Sequence, residues 1–200
     1  MFGLSGAHRT GKTTLAQDVA VKLGIHFHNA SVSKILKERC GIDPVLITDL
    51  GERIKAQGVL LDVYLEQLAL APRPAITDRT PLDMAMYMMG ECGMHSDPEL
   101  GEQVWKYAER CVFATEKHFD SVFIVAPLPH YVAEEGKPAN NRGYQWHLQF
   151  LLRGLADATK NMCLFKIGNP DRECRTEMVG GWIAERLEEY RAAIASLRPH

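Results

Sequence analysis

The sequence predicts an α/β domain whose parallel sheet is covered on both faces. Three observations carry that expectation. Short apolar stretches alternate with helical ones from end to end, giving five strands. A glycine-rich turn separates the first apolar stretch from the first helix. Polar and charged residues gather just after the strands, at the edge where such sheets bind ligands.

Each element has its own signal. MFGLS, residues 1–5, reads as a buried strand, followed by a helix from Lys12 to Leu23 with Leu15, Val19 and Leu23 at helical spacing. Gly24 ends it. IHFHNAS, residues 25–31, reads as a second strand, and residues 31–39 as a short helix broken by Gly41 and Pro44. Across 45–70, Leu46, Leu50, Ile54, Leu61, Leu65 and Leu68 form one stripe, bounded by Pro72 and Pro74. Ala75-Ile76-Thr77 is a short strand with Asp78 and Arg79 at its C-terminal end. Thr80 suits an N-cap, Pro81 the first helical position and Asp83 the third, so a helix starts at Pro81. Asp97-Pro98-Glu99 repeats that signal for a helix ending near His118. SVFIVAP, residues 121–127, is a buried strand, and 128–143 a polar loop. A helix from Tyr144 to Thr159, a strand at 162–168 and a helix from Arg172 to Leu197 complete the chain.

A length of 200 residues suits a single domain spanning 1–200. A net charge of -2 and a pI near 6.4 lack the strong basic field of a dedicated duplex-DNA binder, although a local basic cleft is compatible with them. Cys40, Cys92, Cys111, Cys163 and Cys174 form no C-x-x-C pair, so buried or half-buried free thiols in a reducing compartment are expected. His26 and His28 alternate in a strand-like stretch and are only a weak metal candidate. No signal peptide and no membrane span is read, so a cytoplasmic location is expected.

Gly6-Ala7-His8-Arg9-Thr10-Gly11-Lys12-Thr13 matches G-x-x-x-x-G-K-[ST]. Gly6 and Gly11 permit the dihedrals and close approach that a side chain blocks. Successive amides then face phosphate oxygens, and the helix start adds partial positive charge. Lys12 is expected to reach the β and γ phosphates, Thr13 to ligate Mg²⁺ and Thr14 to touch the α phosphate. Ala7, His8, Arg9 and Thr10 occupy the free positions of this nucleotide-binding loop; the His8 and Arg9 side chains either face the transferred group or are solvated.

The motif alone leaves switches, motors and kinases open. A GTP switch needs D-x-x-G and N-K-x-D; none of the 16 glycines follows an Asp by three residues, and no Asn precedes a Lys. Motors and AAA-type machines usually run longer and carry an acidic pair after an apolar strand. Here that strand ends in Asp78-Arg79. Asp78 can bind an acceptor hydroxyl or a Mg²⁺-bound water, and Arg79 an acceptor phosphate. The plainer readings are a turn residue leading a helix and a surface ion pair.

These segments resemble the nucleoside and nucleotide kinases among P-loop proteins. The similarity is to small phage-type kinases related to thymidylate kinase, deoxynucleoside kinases and the ribosylnicotinamide kinase domain. GAHRTGKTTLA (6–16) and ITDRTPLDMAMY (76–87) carry it specifically; ERIKAQGVLL (52–61) and EEGKPANNRGYQ (134–145) carry it loosely. The resemblance implies a three-layer P-loop fold with sheet order 2-3-1-4-5, ATP and Mg²⁺ as cofactors, and an acceptor held by the 76–87 segment. That segment is similar to the family's D-R-[YS] or E-R-S stretch, with Thr80 in place of Tyr or Ser, and supplies Arg79 and Asp83. Gln57 is the candidate base partner, with Arg53 one turn earlier; the plain alternative is a solvated pair. The 128–143 loop stands at the lid position, with Arg142 as catalytic cation, Lys137 as a weaker candidate and Arg153 as a second arginine. GNPDR (168–172) is similar to the segment lying against adenine, where Arg172 either stacks on the base or is a surface residue.

The implied reaction is transfer of the ATP γ-phosphoryl group to a nucleoside or (deoxy)nucleoside monophosphate. One alternative moves the acceptor to a hydroxymethylated base, 5-hydroxymethyluracil, in phage DNA. Another class is an NTP-hydrolysing regulator without an acceptor. A homodimer is possible, and the compartment is the host cytoplasm if the chain is phage-encoded.

Overall fold

The computed structural model describes residues 1–30, 37–38, 41, 47–93, 97–130, 141–160 and 162–196. The short helix expected at 31–39 lies largely outside these residues, as do Cys40, Leu46, Lys137 and most of the 128–143 loop. The elements are β1 (Phe2–Ser5), α1 (Lys12–Leu23), β2 (His26–His28), α2 (Leu50–Leu70), β3 (Ala75–Thr77), α3 (Pro81–Cys92), α4 (Pro98–His118), β4 (Ser121–Val125), α5 (Arg142–Asp157), β5 (Cys163–Ile167) and α6 (Arg172–Ser196).

The strands form one parallel sheet in the order β2-β3-β1-β4-β5. Phe2 lies opposite Ile76 on one side and Ser121 on the other. Because side chains alternate across a strand, each face gathers its own set. Phe2, Leu4, Ile76, Phe123, Val125 and Ile167 pack against Leu15 and Val19 of α1 and Val179 and Ile183 of α6. Val122 and Ile124 face the other way, toward Leu61 and Leu68 of α2, Met86 of α3 and Leu148 of α5. Each such buried side chain contributes about 1.5–3 kcal/mol.

The central strands β1, β3 and β4 are wholly buried, as their apolar runs predict. At the edges, β2 shrinks to His26–His28 and β5 buries only Ile167. The α2 helix starts at Leu50 because Asp49 accepts the Glu52 N–H at 2.8 Å. The α5 helix starts two residues earlier than expected, at Arg142, because Asn141 caps it by accepting the Tyr144 N–H at 2.9 Å. Arg142 and Gly143, read as loop, are therefore helical. The expected thiol burial holds for Cys111 and, in part, Cys92, but Cys163 on the edge strand and Cys174 on the first turn of α6 are exposed; all four are unpaired. Among the described residues, no helix is long and apolar enough to cross a membrane.

Packing at β1 sets the next element's position. A Cβ on Gly3 would stand 2.4 Å from Thr80 Cγ2 and 2.8 Å from the Phe119 ring. Only a glycine lets the start of α3 close onto β1, where Ser5 Oγ meets Thr80 Oγ1 at 2.5 Å.

Candidate active site

The loop between β1 and α1 is shaped by its backbone. Gly11 takes φ +83° and Arg9 φ +57°, both in the left-handed region. A Cβ on Gly6 would lie 2.7 Å from the Val125 carbonyl, so the loop passes the end of β4 at a distance that only glycine allows. Lys12 turns back into the loop and donates to the Gly6 carbonyl at 2.6 Å and the Ala7 carbonyl at 2.9 Å. Thr10 is buried and donates to the Ala7 carbonyl at 3.2 Å, while Thr14 is exposed.

The 76–87 segment joins this loop at two points. Thr13 Oγ1 donates to Asp78 Oδ2 at 2.6 Å, bringing the start of α1 to the end of β3. Asp83 is buried; its Oδ1 accepts the Gly6 N–H at 3.0 Å and its Oδ2 the Thr80 N–H at 2.9 Å. Its carboxylate also stands 3.8 Å from the Lys12 ammonium. Read from sequence as an acceptor contact, Asp83 is in the structure a strut between the helix cap and the phosphate loop. Burial pushes the Lys12 ammonium below the usual lysine range, against the opposing pull of Asp83. Tyr64 of α2 donates to the Arg79 carbonyl, and Thr77 Oγ1 reaches the same oxygen at 3.3 Å. Asp78 and Arg79 are half-buried at the strand end.

From the third side, α5 grips the loop. Gln145 Nε2 donates to the His8 carbonyl at 2.8 Å, and Gln149 Oε1 accepts the Ala7 N–H at 3.3 Å. Tyr144 stacks on the His8 ring, centroids 5.9 Å apart. Burial, then the charges of Lys12 and Arg9, hold the His8 imidazole below its ordinary value of 6.5. Arg175 of α6 donates to the Thr10 carbonyl at 2.8 Å.

Sequence reading missed Gln145, Gln149, Arg175 and Tyr64. The available signal was a polar group on an apolar stripe: Gln145 and Gln149 beside Leu148 and Leu152, and Arg175 in step with Val179 and Ile183. Other expected residues are placed apart from the loop's own contacts. Arg53 pairs with Glu91 at 2.6 Å and bonds the Ile47 carbonyl. Gln57 accepts from the Tyr107 hydroxyl at 3.4 Å. Arg172 forks onto Asp18 of α1 at 2.7 and 2.8 Å. Arg142 is exposed on the first turn of α5, and Arg153, half-buried, lies 6.0 Å from the Phe150 ring. The weak metal reading of His26 and His28 gains no support: among the described residues, no three His, Cys, Asp or Glu side chains gather as a metal site.

The fold is the α/β fold of P-loop NTPases. A solved structure of deoxyadenosine kinase from M. mycoides with bound dCTP superimposes with TM-score 0.63 at 15% identity, covering 92% of this chain and 100% of that one. No curated protein matches the sequence. A family model described as an AAA domain matches residues 2–161. The glycine loop closed by Lys12, the strand end brought to Thr13 and the match over 2–161 lead to one conclusion: the chain belongs to the AAA domain family, with the P-loop NTPase fold.

Proposed function

We propose that this protein is an ATP-dependent phosphotransferase that moves the γ-phosphoryl group to a nucleoside or (deoxy)nucleoside monophosphate. The observation that carries this reading is the 2.6 Å bond from Thr13 to Asp78, which joins the donor loop to the strand end bearing Arg79. A neighbour in fold named as a deoxyadenosine kinase, solved with dCTP, supports an acceptor of nucleoside type.

The residues present fit the nucleotide and its metal. The Lys12 ammonium folded over the loop offers positive charge to phosphates, and Thr13 and Asp78 offer the hard oxygen donors that Mg²⁺ prefers. Bound magnesium would neutralise charge on the β and γ phosphates. Amides of the loop and Lys12 hold the phosphates, and Thr14 adds the α-phosphate contact. With a nucleoside acceptor, Asp78 orients the attacking hydroxyl and takes its proton as that oxygen bonds to the γ phosphorus; with a monophosphate acceptor, an oxygen of its phosphate, held by Arg79, attacks in its place. The bond from the γ phosphorus to the β,γ-bridging oxygen breaks, and ADP leaves. Arg79 holds an acceptor phosphate, with Arg53 and Gln57 of α2 toward the base; Arg142 stabilises charge on the transferring group, and Arg172 lies toward adenine. Asp83 positions the loop. The chain acts as one domain, in the cytoplasm.

Incubation with labelled ATP and a panel of nucleosides, nucleotides and hydroxymethylated DNA tests the reading. Acceptor-dependent label transfer supports it. ADP formed equally with and without every acceptor overturns it in favour of an NTP-hydrolysing regulator, the second reading that the AAA description supports. Lys12→Ala is expected to lose at least ~100-fold in turnover with its circular dichroism unchanged. Asp78→Asn is expected to bind ATP but lose transfer; a normal transfer rate would refute its assigned role.

A further inference from the structure

Arg175 stands one turn into α6, on the stripe that continues through Val179 and Ile183 into the core. It is 4% exposed. Its fork reaches three backbone carbonyls: Thr10 at 2.8 Å, Ala126 at 3.1 Å, and Asn169. These belong to the segments that follow β1, β4 and β5, so one side chain ties the phosphate loop to two neighbouring strand ends.

All three partners are neutral. Among the described residues, no carboxylate pairs with Arg175, whereas Arg53, Arg172 and Arg186 each have one. A buried guanidinium held only by carbonyl dipoles retains an uncompensated charge, which is costly in a low-dielectric interior. Its position makes sense of that cost. A Cβ on Gly11 would stand 4.0 Å from Nη1, so the guanidinium lies directly behind the turn that leads into Lys12. The largely buried Lys12 ammonium and this guanidinium therefore put two positive charges at one loop.

We propose that Arg175 is a second buried cation of the phosphate site. It is a positioning residue that fixes the Thr10 carbonyl, and its missing counter-charge is the polyphosphate of a bound nucleotide. The inference rests on the nucleotide-binding reading above. Charge placed before the ligand arrives needs no reorganisation when phosphate binds. Its effect grows with the number of phosphates on the ligand, because each adds negative charge within reach.

Calorimetric titration of ATP, ADP, AMP and inorganic tripolyphosphate into wild type, Arg175→Lys and Arg175→Gln tests it. The Gln variant is expected to lose roughly tenfold in affinity for ATP and tripolyphosphate and much less for AMP. The Lys variant keeps the charge and is expected to stay within about threefold of wild type for both polyphosphates. Equal losses in the Lys and Gln variants across all four ligands would reduce Arg175 to a structural staple and overturn the proposal. Unchanged affinities overturn it as well. If Arg175→Gln does not fold, the Lys variant decides alone: tripolyphosphate binding near the wild-type value supports the proposal, and a tenfold loss rejects it. Wild-type protein that binds ATP while the variants contradict these expectations leaves the nucleotide reading intact. Wild-type protein that binds none of the four ligands overturns both.

Discussion

Asp83 is 1% exposed, and its two oxygens meet the Gly6 N–H, the Thr80 N–H and, at longer range, the Lys12 ammonium. Removing it would leave half of the capping box unmade and a largely buried ammonium without its carboxylate. Asp83→Ala is therefore expected to cost on the order of 3 kcal/mol, read from urea unfolding midpoints. A smaller loss, near that of a single cap, would mean that Lys12 is satisfied by the Gly6 and Ala7 carbonyls alone. Gly3 is as constrained by space as Asp83 is by charge. Thr80 is β-branched and stiff, and the Phe119 ring stands behind it, so neither yields to an added methyl. Gly3→Ala should lose about 1–3 kcal/mol in the same unfolding experiment.

Elements are joined by a few polar contacts between distant segments. Asp120, just before β4, accepts from Arg186 at 3.2 Å, from Ser121 at 2.8 Å and from Tyr190, and so pins α6 to the start of the strand. Burial pushes this carboxyl up, but the hydrogen bonds from Tyr190, Ser121 and Arg186 together hold it below its ordinary value of 3.8. A carboxyl depressed in the fold contributes stability that is present above its unfolded pKa and lost as pH falls through the folded one. Acid unfolding of wild type should therefore steepen below about pH 4. Asp120→Asn should flatten that part of the curve and lower stability at pH 7 by on the order of 1 kcal/mol, since Arg186 is partly solvated. An unchanged acid limb would remove Asp120 from the account. Helix starts at Pro81 and Pro98 were legible because caps are local chemistry. The start of α5 was not, because Asn141 capped a helix whose first residues, Arg142 and Gly143, carry loop composition.

On the scale of the whole molecule, the order β2-β3-β1-β4-β5 brings together residues that lie far apart in the chain. Thr13 meets Asp78 across 65 positions, Ala7 meets Gln149 across 142, and Thr10 meets Arg175 across 165. Each contact crosses between the ends of parallel strands, where side chains from several segments converge. The nucleotide loop is thus held from three sides: by α3 through Asp83, by α5 through its two glutamines, and by α6 through Arg175.

By itself the sequence determined the α/β alternation, the glycine loop with Lys12 and Thr13, the Asp78-Arg79 strand end and the capped start at Thr80. Strand order followed only from the resemblance to P-loop kinases. All but that order rest on interactions a few residues long: turn chemistry, capping, and the periods of apolar residues. Tertiary structure alone decided which polar residues hold the loop. A glutamine or arginine on an apolar stripe reads as a flaw in the pattern until its partner is known, and here the partner is a backbone group more than a hundred residues away. The same long-range packing set Asp83 against the loop and Arg172 on Asp18 of α1. Local sequence names the chemistry available, but only the assembled sheet chooses which groups it brings to the loop.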